Sequence, residues 1–195
     1  VKNYFDNKLL LIDQVTQYFK SNLIVRSSSI NEDNEKTSNA GGFYSAMNVD
    51  RNDASALQIA IDKVADSYGQ SISDEDEIFI QPMLEDVELA GVIFTADIDT
   101  LSDYYIVNYD ESGSADSVTG GYSNNLKTFV SFNSNENFND KRIEKLIAAT
   151  KDCEKIFNTK YLDMEFAYSE GDLYILQVRP IVTKGKNNLS DINLE

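Results

Sequence analysis

Residues 161–180 read YLDMEFAYSEGDLYILQVRP. Two runs, Tyr161 to Tyr168 and Leu173 to Arg179, flank Ser169-Glu170-Gly171-Asp172, which is the pattern of a β-hairpin. With a three-residue loop of Glu170, Gly171 and Asp172, Tyr168 faces Tyr174, Phe166 faces Leu176 and Met164 faces Val178, so one face is wholly apolar. The other face then pairs Glu165 with Gln177 and Asp163 with Arg179. A slip of one residue would scatter both sets across the two faces, so the register is strongly specified. Gly171 suits the left-handed position that such a loop requires.

Working upstream, Asp140 to Phe157 has helical spacing, with Ile143, Leu146, Thr150, Cys153 and Phe157 on one face and Asn158 closing it. Apolar runs at Ile78 to Leu84, Ala90 to Thr95, Tyr104 to Asn108 and Lys127 to Phe132 read as one sheet, with a Gly/Ser/Asp loop from Asp110 to Asn125. Asp53 to Tyr68 is the clearest helix, capped by Asp53 or Ser55, striped by Leu57, Ile61, Val64 and Tyr68, and stopped at Gly69. Residues 6 to 20 give a first helix through Leu9, Ile12, Val15 and Phe19, feeding a strand at Leu23-Ile24-Val25. Ser27 to Gly42 is a long polar loop, of the kind that is functional or disordered, before strand character returns at Phe43 to Val49. After Val182 the tail is polar and linker-like.

The 195 residues carry 33 acidic and 17 basic side chains, a formal charge of −16. Over most of the surface that balance repels nucleic acid and anionic lipid. A phosphate-bearing ligand must therefore be gripped by local cations, which singles out Arg26, Arg51, Arg142 and Arg179. One cysteine, Cys153, excludes an intrachain disulfide, and its expected place is the core. No run approaches the ~18 to 20 apolar residues of a membrane span, so a cytoplasmic protein without membrane or nucleic-acid partners is expected. The chain has no histidine, which removes the commonest general base and any phosphohistidine from these residues.

The polar face of the hairpin is a chemical arrangement. Magnesium takes one or two carboxylates together with phosphate oxygens and waters, so Glu165 with Gln177 offers its protein ligands. Arg179 then meets a terminal phosphate, offsetting charge as the phosphoryl group leaves, and Asp163 holds the guanidinium. A solvated sheet face with an Asp–Arg surface pair fits the same pattern.

A resemblance bears on that choice. Asp163-x-Glu165 followed by Leu176-Gln177-x-Arg179-Pro180 resembles the "D-x-E … L-Q-x-R-P" ending of the nucleotide-binding domain in the phosphoenolpyruvate synthase and pyruvate phosphate dikinase family. Val25-Arg26-Ser27-Ser28, Glu32-Asp33 and Ser38-x-Ala40-Gly41 resemble its "V-R-S-S … E-D … S-x-A-G". Ile80-Gln81-Pro82-Met83 and Gly91-Val92-Ile93-Phe94-Thr95 resemble its "V-Q-x-M … G-V-x-F-T". The motifs stand in the family's order over roughly residues 23 to 182.

The resemblance implies an α+β, ATP-grasp-like fold, with mostly antiparallel sheets, flanking helices and an incomplete first lobe. It implies ATP and Mg²⁺ as cofactors, and a kinase or dikinase-type phosphotransferase passing a phosphoryl group to a histidine on another domain. Arg26 would reach the phosphates beneath a loop at Ala40 and Gly41, and Gln81, Pro82, Met83 and Leu84 would line the adenine slot. Thr95 and Asp163 would lie near the nucleotide, Glu165 and Gln177 would hold Mg²⁺, and Arg179 with Arg26 would be the catalytic cations. The expected division is a partial first lobe at 1–70, a second lobe at 71–182 and a linker at 183–195. Partners would then be ATP and the phosphohistidine and acceptor-substrate domains of a larger parent protein.

The chain departs from the family at Ala96, where an arginine is usual after the threonine, and at Ser112-Gly113-Ser114-Ala115-Asp116, which stands for "G-L-G-E" without its glutamate. The family also places a lysine-bearing segment before the first arginine motif, and with only 25 residues ahead of Arg26 an incomplete first lobe is expected. Two other readings stay open at this point: a non-catalytic nucleotide-binding or regulatory module, and an acidic interaction domain.

Overall fold

A computed structural model describes residues 1–29, 33–34, 37–38, 43–69, 72–113, 126–134 and 138–181. The chain divides into two compact units, 1–84 and 85–195.

In the first unit, helices α1 (Lys2–Asp6) and α2 (Lys8–Tyr18) precede strand β1 (Leu23–Ser28). The short strands β2 (Asp33–Asn34) and β3 (Thr37–Ser38) pair with each other. They are followed by β4 (Ser45–Val49), α3 (Ala54–Ser67) and β5 (Glu77–Pro82). The sheet has the order β4-β1-β5, antiparallel throughout. α3 forms where expected, because the Asp53 carboxylate accepts from the Ser55 and Ala56 amides at 3.0 and 2.9 Å and satisfies donors that a helix start leaves over. Its Leu57, Ala60, Ile61 and Val64 are buried against Leu23 and Val25 of β1. The expected helix over 6–20 is broken at Asn7 (φ −136°). Its buried stripe is Leu11, Ile12, Val15 and Phe19, whereas Leu9 is exposed.

The second unit contains β6 (Val87–Phe94), β7 (Tyr104–Asp110), β8 (Lys127–Phe132), α4 (Lys141–Phe157), β9 (Leu162–Ser169) and β10 (Asp172–Pro180). Its sheet has the order β10-β9-β6-β7-β8 and is also antiparallel. α4 starts on the Asp140 carboxylate, which accepts from the Arg142 amide at 2.8 Å, and ends on Asn158 in the left-handed region (φ 50°). It lays Ile143, Leu146 and Ile147 on a core of Leu89, Ile93, Tyr105, Val107, Leu162, Met164, Phe166 and Tyr168. The Thr150 hydroxyl is buried on this side and donates to the Leu146 carbonyl at 2.9 Å. The apolar stripe ends at Cys153, and Phe157, expected on it, is exposed.

Two antiparallel sheets with few helices make this an α+β protein with an ATP-grasp-like fold. One expectation is corrected: the strand at 78–84 does not continue the sheet of 90–132, since β5 pairs with β1 along Leu23–Ser28. Its alternation fits that place, because Ile78 and Ile80 face the first core while Phe79 is exposed.

At Gly91, which pairs with Tyr109, there is no room for a side chain. A Cβ there would drive into the Asn108 carbonyl oxygen and lie 2.8 Å from Tyr109 Cβ and 3.0 Å from Phe166 Cε1. Gly91→Ala is expected to destabilise the chain by about 1–3 kcal/mol, the usual penalty of overpacking. Urea unfolding with an unchanged m-value would register it as a lower midpoint.

Candidate functional site

The hairpin of β9 and β10 turns more tightly than expected. Ser169 pairs with Asp172, so the loop is Glu170-Gly171, with φ of 53° and 79°. Two consecutive positive φ values define the tight hairpin turn whose twist suits the flanking strands. This pairs Tyr168 with Leu173 and Phe166 with Ile175, correcting the expected Tyr168–Tyr174 and Phe166–Leu176 pairs. Between Ile175 and Gln177 the register shifts by one at Leu176, and beyond it Glu165 faces Gln177, Met164 faces Val178 and Asp163 faces Arg179. The polar half of the hairpin therefore has the expected pairing, reached through a β-bulge.

Cross-strand partners project on the same side of a sheet. Met164 and Phe166 belong to the core beneath α4, so Asp163, Glu165, Gln177 and Arg179 lie on the face turned away from the helix. Arg179 donates to Asp163 Oδ2 from Nε at 2.7 Å and from the Nη2 end at 2.6 Å. The pair is largely withdrawn from water, with side-chain exposures of 20% for Arg179 and 11% for Asp163. Two bonds to one carboxylate oxygen fix the plane of the guanidinium. Glu165 and Gln177 form the neighbouring row, both half-buried.

These two side chains offer a carboxylate and an amide oxygen, the hard donors that magnesium takes. Among the described residues, no group of three or more acidic, histidine or cysteine side chains could hold a metal. The donor set thus suits a metal that arrives with phosphate oxygens and waters, and does not suit an all-protein cage.

Thr95 is placed differently. It is fully buried, and its hydroxyl donates to the Lys160 carbonyl and accepts from the Leu162 amide at 2.7 Å. Its backbone carbonyl accepts from Asn133 Nδ2 at 3.1 Å. The threonine ties the end of β6 to the start of β9, and Ala96 beside it is buried as well.

In the first unit, Arg26 pairs with Phe79 and Ser45, and Ile24 pairs with Gln81. Arg26 and Gln81 therefore share the sheet face opposite Leu23 and Val25. Pro82 ends β5, Met83 donates its amide to the Asn22 carbonyl at 2.7 Å, and Leu84 is the last residue of the unit. Ala40 and Gly41 lie outside the described residues.

The other two arginines serve the fold. Arg51 donates to the Thr16 and Phe19 carbonyls at the end of α2. Arg142 bridges Asp140 and Glu111 at 3.0 and 2.9 Å, and Lys127 pairs with the same glutamate. Hydrogen bonds from Lys127 and Arg142 hold the Glu111 carboxyl below its usual range. A concavity of about 560 Å³ in the second unit is lined by Asp103, Tyr105, Asn133, Lys151, Glu154 and Lys160 among others. It contains none of the expected site residues.

Residues 116–193 match the family model described as pyruvate phosphate dikinase, AMP/ATP-binding domain. This is the family to which the motifs pointed, and the matched stretch carries Asp163, Glu165, Gln177 and Arg179. Over this stretch, which is less than half of the chain, the protein is similar to the AMP/ATP-binding domain of that family. A search of curated proteins finds no match. No helix among the described residues is long and apolar enough to cross a membrane.

Thr95→Val keeps the shape but strands the Leu162 amide in the interior. The expected loss is about 1–3 kcal/mol of stability, read as a lower thermal midpoint; an unchanged midpoint would show that the hydroxyl is not needed by the fold.

Proposed function

We propose that this chain is the Mg·ATP-binding module of a phosphotransferase, and that it delivers a phosphoryl group to a histidine on another domain. One observation carries the reading: a desolvated Asp163–Arg179 ion pair lies in the row beside a Glu165–Gln177 pair, on one face of one sheet. A magnesium ion held at Glu165 and Gln177 would supply charge neutralisation on the phosphate oxygens. Arg179, oriented by Asp163, compensates the negative charge that grows on those oxygens as the phosphoryl group departs. The guanidinium is already in place, so no reorganisation is required at that moment. Arg26 is proposed as a second phosphate cation and Gln81 to Leu84 as the adenine-contacting stretch. Since these 195 residues contain no histidine, the accepting imidazole belongs to another part of the machinery, and cytoplasmic ATP is the natural donor.

Calorimetric titration of Mg·ATP into the chain tests this. Glu165→Ala and Arg179→Ala are each expected to weaken binding by roughly 10- to 150-fold, the worth of one charge-assisted contact. Omitting magnesium should weaken the wild type and leave Glu165→Ala nearly unaffected. A folded wild type with no affinity for Mg·ATP, or variants that titrate like it, would overturn the proposal.

A further inference from the structure

The rows of the five-stranded sheet continue past the hairpin. Val92 of β6 pairs with Glu165 on one side and with Asn108 of β7 on the other, and Asn108 pairs with Thr128 of β8. Gln177, Glu165, Val92, Asn108 and Thr128 therefore form one row across the same face. Asparagine is unusual in the middle of a strand, and here it stands in an otherwise apolar and aromatic run, Tyr104-Tyr-Ile-Val-Asn108-Tyr. Its orientation is set, because the Thr128 hydroxyl donates to Asn108 Oδ1 at 2.7 Å. Asn108 Nδ2 has no hydrogen-bond partner among the described residues, although the side chain is half-buried.

We infer that Asn108 is a nucleotide-binding residue that contacts the ribose hydroxyls, with Thr128 as its positioning residue. The inference rests on the nucleotide reading above. Asn108 lies two strand spacings, about 9–10 Å, from Glu165. Phosphates gathered at Glu165 and Arg179 leave the sugar as the next part of a nucleotide laid along the row. An uncharged amide suits that place: it can bond a hydroxyl without competing for the cation that the phosphates need.

The test titrates wild type, Asn108→Ala and Asn108→Asp with Mg·ATP and with Mg·2′,3′-dideoxy-ATP. Asn108→Ala should weaken Mg·ATP by roughly 2- to 12-fold, the range of one neutral hydrogen bond, and leave the dideoxy nucleotide unchanged. Asn108→Asp still accepts from Thr128 and can accept from a ribose hydroxyl, so it should restore most of the affinity for Mg·ATP. The inference falls if Asn108→Ala binds Mg·ATP like the wild type or weakens both nucleotides equally. It falls too if Asn108→Asp binds Mg·ATP worse than Asn108→Ala, which would place a phosphate oxygen there. A wild type that does not bind Mg·ATP removes the nucleotide reading and this inference with it, whereas normal wild-type binding with no effect at Asn108 removes the inference alone.

Discussion

The arrangement of the second unit depends on the one-residue shift at Leu176. The two-residue turn sets Ser169 opposite Asp172, and that register carried straight on would place Glu165 opposite Leu176 and Asp163 opposite Val178. Gln177 and Arg179 would then point into the core under α4, among Met164, Phe166 and Ile147. An unpaired guanidinium in such surroundings is prohibitively costly. The bulge restores the phase, so that Val178 joins the core and Arg179 meets Asp163. Turn and bulge form one device, since either alone would invert the faces of the half of the hairpin that carries Asp163, Glu165, Gln177 and Arg179.

The Asp163–Arg179 pair has a cost of its own, because two charges leave water to form it. What it provides is orientation. Both of its bonds end on Oδ2, which holds the guanidinium plane while the row beside it carries Glu165 and Gln177. In a chain with net charge −16, an anionic ligand depends on cations fixed in this way. Two other arginines, Arg51 and Arg142, are bound to helix-end carbonyls and to a surface carboxylate network.

How much of this was legible in the sequence follows from the range of each interaction. The Glu165–Gln177 and Asp163–Arg179 pairs could be read because side-chain parity is strict and the hairpin is local. The turn was misread because a three-residue loop gives the same pairs there as a two-residue turn with a bulge, and no residue type announces a bulge at Leu176. The partner of β5 was misread because strand pairing is not local: Ile78 and Ile80 show that one face is buried, without showing that β1 lies beside it. The buried role of Thr95 depends on Lys160 and Leu162, more than sixty residues away. Asn108, which carries the proposal of a ribose contact, was not singled out from the sequence, although a lone amide at an outward position in an apolar strand was there to be seen.

The bulge at Leu176 also bears on how the molecule avoids its neighbours. Within the described sheet, β10 is an outer strand, and an outer strand offers a row of unpaired amides and carbonyls to any other chain. The irregularity interrupts that row midway, and Pro180 removes a donor at the strand's end. The strand that bears Gln177 and Arg179 is thereby a poor template for strand addition, so the same extra residue that aims the polar side chains also protects them from being covered by a second copy.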